Sequence, residues 1–355
     1  MSEISLEVSE LNGQSAQRWD AFVETCSEAT FFHRAGWKSA IEGGMGHRAY
    51  FLYAHSNGVI EGVLPLGHVK SFLFGNALMA APFCVYGGVA ANTDRARLTL
   101  HRAAEDLARR LNVDYLEMRN APFARSESTE APLRSQGWLK KELYVTFRKE
   151  IDPDVEKNLL AIPRKQRAVV RKGIKAGLTS KIDSDFHRFF DAYAESVRNL
   201  GTPVFPKRFF SVLREVFGED CEILTVEKDG RVVSSVMSFY FRDEVLPYYG
   251  GGTSEARAVK GNDFMYWELM RRAAERGIRV FDYGRSKVGT GSYSFKKNWG
   301  FEPQPLSYEY RLVKAREVPD INPLNPKYRL FINAWKRLPL PVSKLVGPFI
   351  SRNLG

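Results

Sequence analysis

The chain repeats itself, and that repetition limits the folds open to it more than any single motif does. Residues 49–69, "AYFLYAHSNGVIEGVLPLGHV", read as two strands joined at Asn57-Gly58, and residues 222–241, "EILTVEKDGRVVSSVMSFYF", read the same way at Asp229-Gly230. Asn-Gly and Asp-Gly are favoured centres of two-residue hairpins because both residues tolerate positive φ. After a further extended segment each hairpin leads to Tyr-Gly-Gly, at Tyr86–Gly88 and at Tyr249–Gly251. A helical pattern follows each time: Ala96, Leu100, Ala103, Leu107 and Leu111 behind a cap at Thr93 or Asp94, then Met265, Leu269, Met270, Ala273 and Ala274 behind a cap at Asn262 or Asp263. Buried strands come next, "VDYLEM" and "IRVFDY". Short helical regions with turns at Gln136-Gly137-Trp138 and Trp299-Gly300-Phe301 lead to final strands, "KELYVTFRKE" and "LSYEYRLVK".

This order of hairpin, strand, helix, strand, helix, strand predicts an α/β (α+β) chain of tandem duplicated domains, each a mixed twisted sheet flanked by helices. The expected divisions are 1–148, 149–315 and a basic amphipathic tail, 316–355. A length of 355 residues suits two domains of roughly 150 residues each. With 44% hydrophobic and 26% charged residues the composition is that of a folded chain, and no run approaches the ~20 apolar residues of a spanning helix. The acidic, apolar-poor N-terminus does not resemble a secretion signal, so a cytoplasmic location is expected. Cys26, Cys84 and Cys221 lack metal-ligand spacing, which predicts reduced, buried thiols and no metal site. A formal charge of +11 favours an anionic partner: RNA, a nucleotide, a coenzyme phosphate or an anionic lipid surface.

Two segments fit such a partner. "GTSEARAVKGNDF" places Arg257, Lys260 and Gly261 at the entry to the second long helix, where backbone N–H groups and the helix dipole attract anions. "RKQRAVVRKGIK" carries six cations and no acid, and if helical it aligns Arg164, Arg167, Arg171 and Lys175 on one face, toward phosphates or simply toward water.

Together with the duplicated layout, the runs "YYGGGTSEARAVKGNDFMYWELM", "FDYGRSKVGTGSYSFKKNWGFEP" and "IPRKQRAVVRKGIKAGL" resemble the FemAB family of peptidyltransferases. Members consist of two domains like those of Gcn5-related N-acetyltransferases (GNAT). The closer likeness is to FemAB-like proteins encoded with bacterial exosortase and exopolysaccharide systems. The resemblance implies tandem GNAT-like acyltransferase domains, with most catalytic residues in the second. It also implies transfer of an aminoacyl or acyl group from aminoacyl-tRNA, acyl-CoA or an acyl-carrier thioester to an amine of a cell-envelope precursor, peptidoglycan or exopolysaccharide. No tightly bound cofactor is implied. In the family motif Gly-x-Tyr-x-Phe-Lys the lysine stabilises the transition state, and the motif maps onto Phe295 and Lys296, with Tyr293 beside them. A fixed ammonium in a dry site opposes the negative charge that develops on an attacked carbonyl oxygen. Gly289 and Gly291 let the loop close.

The likeness has two gaps. The long helical hairpin of members that contact tRNA is missing, and the segment from Arg257 to Gly261 departs from the usual acetyltransferase pyrophosphate loop. Tyr249 is the expected ligand contact and Tyr248 a core residue. Asp282 and Arg285 could orient substrate, remove the amine proton or form an internal ion pair. Arg198 falls near a substrate-binding position of the family, and Lys297 is expected in solvent. In the tail, Phe331, Trp335, Leu338, Leu345 and Phe349 stand among lysines and arginines. That mixture suits a clasp across the domains or peripheral contact at the inner face of the cytoplasmic membrane.

Overall fold

The computed structural model describes residues 6–71, 74–123, 137–318 and 326–355. It divides into unit 1 (Met1–Leu143, Pro305–Asp320, Arg352–Gly355) and unit 2 (Tyr144–Gln304, Ile321–Ser351).

Unit 1 is built on a sheet of β1 (Glu7–Glu10), β2 (Arg48–Ser56), β3 (Val59–Ser71), β4 (Gly75–Ala80), β5 (Ala90–Ala91), β6 (Tyr115–Asn120) and β7 (Leu139–Lys141). Its spatial order is β1-β2-β3-β4-β6, then the strand Ser307–Leu312, then β7, with β5 against β3. The turn residues do what Asn-Gly predicts: Asn57 (φ 48°) and Gly58 (φ 80°) both take positive φ between β2 and β3. The helices α1 (Ala16–Thr25), α2 (Gly36–Ser39) and α3 (Asp94–Arg110) belong to this unit. Thr93 caps α3 by accepting from Ala96 N. Ala96, Leu100, Ala104, Leu107 and Ala108 of α3 bury themselves with Leu64, Leu66, Leu78 and Leu116 of the sheet.

Unit 2 repeats the plan with β8 (Tyr144–Thr146), β9 (Arg148–Glu150), β10 (Thr179–Ile182), β11 (Cys221–Lys228), β12 (Arg231–Phe241), β13 (Glu244–Gly252), β14 (Val280–Asp282) and β15 (Ser286–Lys287). Its main sheet runs β10-β11-β12-β13-β14-β9. Asp229 (φ 50°) and Gly230 (φ 75°) form the matching hairpin turn. The helices are α4 (Val155–Ala161), α5 (Arg164–Lys175), α6 (Phe186–Leu200), α7 (Lys207–Phe217), α8 (Ala256–Val259), α9 (Gly261–Glu275), α10 (Gly291–Asn298), α11 (Pro326–Lys336) and α12 (Leu340–Ser351). In both units a hairpin, a third antiparallel strand and a long helix lead to a parallel strand: β4 pairs with β6, and β13 with β14. The expected duplication, each copy a mixed sheet flanked by helices, is therefore present. All three cysteines are free and buried.

Three readings need correction. The strand in "LSYEYRLVK" belongs to unit 1, where Ser307–Leu312 pairs antiparallel with β6 and β7. Conversely, β9 of "KELYVTFRKE" pairs with β14 of unit 2. Chain order does not say which sheet edge a strand completes. The side chains decide it: Tyr308 is buried in unit 1, its hydroxyl donating to Val85 O at 2.8 Å, and Arg148 meets Asp282 as its register partner in unit 2. The second long helix starts two or three residues earlier than expected, with left-handed Lys260 (φ 62°) at its cap instead of Asn262 or Asp263. The first turn at Gln136 lies outside the described residues.

The Tyr-Gly-Gly segments are sites of close approach. A Cβ on Gly88 would stand 2.1 Å from Asn120 Oδ1, and one on Gly251 2.2 Å from Ser196 Cβ of α6. Ser196 Cβ is fixed to the helix backbone and cannot swing aside. Gly251→Ala is therefore expected to cost about 1–3 kcal/mol, as overpacking does, read as a lower urea midpoint; an unchanged midpoint would show that α6 shifts freely.

Candidate active site

α10 places the motif lysine. Thr290 caps this helix, accepting from Tyr293 N, and the spacing of three to four residues then sorts its side chains onto two faces. Phe295 and Trp299 turn to one aromatic cluster: Phe295 lies 5.5 Å from the Tyr266 ring and 6.4 Å from Tyr283. Tyr293 and Lys296 turn to the other side, toward Phe147. The Tyr293 ring meets Phe147 edge-on at 5.5 Å, and Lys296 Nζ stands 5.7 Å over the same ring. Lys297 is exposed, as expected for its neighbour on a helix.

Lys296 is half-buried as a residue, but its ammonium is drawn inward. Nζ donates to Gly284 O at 2.9 Å and to Arg285 O at 3.0 Å, in the loop just beyond β14. Two of three N–H donors are thus directed at carbonyls, which leaves one for a reacting group. Burial pushes this lysine down to about 7; the Asp282 carboxylate opposes the shift and the Arg285 guanidinium reinforces it.

Asp282 is fully buried and serves the loop. Its Oδ1 accepts from Gly284 N at 2.7 Å and from Thr146 Oγ1 at 3.4 Å, while Oδ2 stands 3.2 Å from Arg148 Nε. Arg148 also binds Glu244. Asp282 thus makes an internal ion pair, but with Arg148 of β9, where the expectation pairs it with Arg285. Gly284 (φ 65°) takes the left-handed conformation that aims its carbonyl at Lys296. Arg285 stacks its guanidinium 4.7 Å over Tyr144.

The other expected residues fall in different surroundings. Tyr249 is buried, its ring edge-on to Tyr193, Phe205, Phe209 and Phe210 at 5.2–6.0 Å. Tyr248 is the half-buried one, the reverse of the expectation. The cause is the strand's alternation: position 249 faces α6 and α7, whose phenylalanines had not been assigned to that face. Arg198 points Nη1 at Lys336 O, 3.4 Å away at the C-terminal end of α11.

The two basic segments prove to be neighbours. Gly173 of α5 packs so closely on α9 that a Cβ there would meet Phe264 Cβ at 3.0 Å and Lys260 O at 3.2 Å, and Gln166 donates to Asp263. Arg164, Arg171, Lys172 and Lys175 are exposed on α5, as is Arg257 on α8. Arg167 is not on that free face; its Nη1 donates to Leu160 O at 2.8 Å. Lys260 Nζ donates to Arg257 O at 3.2 Å, and Gly261 is buried where a Cβ would strike Val233 Cγ1 at 2.4 Å.

Sequence reasoning missed Phe147, Arg148 and the two loop carbonyls. Backbone acceptors leave no mark in a sequence. Arg148 did leave one, a cation directly following the apolar run of "YVTF".

The fold is that of acyltransferases of the GNAT class. Residues 164–297 match the acetyltransferase (GNAT) domain family. Among solved structures the chain is similar to FemX, with 15% identity and a TM-score of 0.70 over 92% of this chain and 100% of that one. It is also similar to the C-terminal domain of an Agrobacterium fabrum protein named as a lysylphosphatidylglycerol synthetase (12% identity, TM-score 0.56, 84% and 92% covered). A third likeness is to a tandem GNAT protein from the clavulanic acid biosynthesis pathway (13% identity, TM-score 0.55, 87% and 98% covered). No curated protein matches in sequence. Residues 164–297 thus form a GNAT-type domain, and the chain as a whole shares the fold of FemX.

Proposed function

We propose that this protein transfers an aminoacyl or acyl group to an amine of a cell-envelope precursor, with Lys296 stabilising the oxyanion formed as the amine attacks. The observation that carries this reading is the Lys296 ammonium, held by Gly284 O and Arg285 O within the segment that matches the GNAT family. The amine's nitrogen bonds to the donor carbonyl carbon, negative charge collects on the carbonyl oxygen, and the third N–H of Lys296 donates to it. Collapse of that intermediate breaks the bond to the tRNA oxygen or the thioester sulfur, and the proton lost by the nitrogen passes through water to that leaving group, which departs as hydroxyl or thiol. Phe147, with Tyr293 packed on it, keeps water from the ammonium, and Asp282 holds the loop that aims it. The envelope precursor is an inference from the likeness to FemX and to the synthetase domain.

The exposed cations of α5 and α8, with the N-terminus of α9, suit the phosphates of the donor. They favour aminoacyl-tRNA over a small thioester because they extend along the whole of α5. The test is to supply the protein with envelope extract plus either radiolabelled aminoacyl-tRNA or labelled acyl-CoA, and to identify labelled amide products by mass spectrometry. Label from neither donor would refute the reading. Charge reversal at Arg164 and Arg171 is expected to weaken tRNA binding about tenfold and flatten its salt dependence; an unaltered salt slope in a filter-binding titration would assign those cations to solvent.

A further inference from the structure

Helix α12, Leu340–Ser351, is built inside out. Its buried residues are small, Ser343, Gly347 and Ser351. Its large apolar residues face outward: Leu345 is 70% exposed, Phe349 68%, Val342 40% and Val346 38%. Those four recur at three- and four-residue spacing, so they form one stripe.

The inner stripe has to be small. A Cβ on Gly347 would stand 3.0 Å from Val204 N, and Ser351 Oγ donates to Val204 O at 2.9 Å, so the helix lies directly on the backbone that follows α6. The outer stripe has no such local reason. Beside it lies a groove of 470 Å³ lined by Phe190, Pro206 and Lys207 together with Lys344, Leu345 and Phe349. Helix α11 adds Leu330, 80% exposed, and Phe331, 40% exposed and stacked on Trp335.

Charge selects the occupant. Residues 329–349 carry Arg329, Lys336, Arg337 and Lys344 and no acidic residue, and the acid of α6 that meets them, Asp191, pairs with Lys344 at 2.8 Å. A second copy meeting this face would set like charges together, whereas lipid phosphates complement them. Twelve residues of helix span about 18 Å, short of the ~30 Å hydrocarbon core, and among the described residues no helix is long and apolar enough to cross a membrane.

We propose that α11 and α12 seat unit 2 on an anionic bilayer surface. The stripe of Val342, Leu345, Val346 and Phe349 enters the boundary between headgroups and acyl chains, and the surrounding lysines and arginines meet lipid phosphates. This proposal stands independently of the chemistry at Lys296.

The test is flotation of the full chain with phosphatidylcholine vesicles, plain or containing about one-third phosphatidylglycerol. Expected is binding to the anionic vesicles, weak or absent on the neutral ones and reduced by salt. The double variant Leu345→Ser, Phe349→Ser should bind at least about tenfold more weakly while melting at the same temperature as the parent, because both side chains are mostly exposed. Equal binding by the double variant, or equal binding to both vesicle types, would overturn the proposal. So would a lipid-free dimer, seen by analytical ultracentrifugation, that the same two substitutions dissociate.

Discussion

Lys296→Met should lower the rate of transfer by about 10²- to 10³-fold, the loss that accompanies removal of one preorganised oxyanion donor, with donor binding and fold retained. Met keeps most of the side chain's length and deletes only the ammonium. The wild-type rate should itself depend on this group. Burial brings Lys296 down to about 7 from an ordinary 10.5, so the ammonium is lost, and the rate falls, as pH rises through about 7. A rate that climbs through the same pH would instead make the neutral amine a proton acceptor and remove the oxyanion role.

Stability reports on the same group with a definite sign. Between about 7 and 10.5 the folded chain binds fewer protons at Lys296 than the unfolded chain does. Stability therefore rises with pH across that window, because charging the buried amine is what costs free energy. Lys296→Met lacks that rise. Its stability relative to wild type should be greatest below pH 7 and decline toward pH 10, measured by urea unfolding at several pH values. Parallel curves for the two proteins would mean that the ammonium is well solvated.

Asp282→Ala is expected to cost about 3 kcal/mol, because it removes a fully buried carboxylate from the half-buried Arg148, which keeps Glu244. Two consequences reach the site. The Gly284 N–H loses its acceptor, which frees the loop that presents both carbonyls to Lys296. The lysine also loses the one carboxylate that supports its charge, so its pKa drops below about 7 and the falling limb of the rate profile moves to lower pH. A variant destabilised as expected but with an unmoved pH profile would confine Asp282 to the scaffold.

Much of the fold was legible because its signals are local. Asn57-Gly58 and Asp229-Gly230 specify their turns through positive φ, Thr93 caps its helix, and the apolar spacing of Met265 to Ala274 fixes which face is buried. The motif lysine could be placed on a short helix by the same kind of reading.

What the sequence alone determined, then, is the duplicated order of elements and the residue that carries the positive charge, since turns, caps and helix faces depend on neighbours a few positions apart. Only the tertiary structure decided which sheet each final strand completes, that Tyr249 is enclosed while Tyr248 is not, and that Gly284 O and Arg285 O receive the ammonium. Those outcomes depend on hydrogen bonding and packing between segments more than ten residues apart, such as Arg148 against Asp282 and Ser307–Leu312 against β6, and no short-range pattern encodes them.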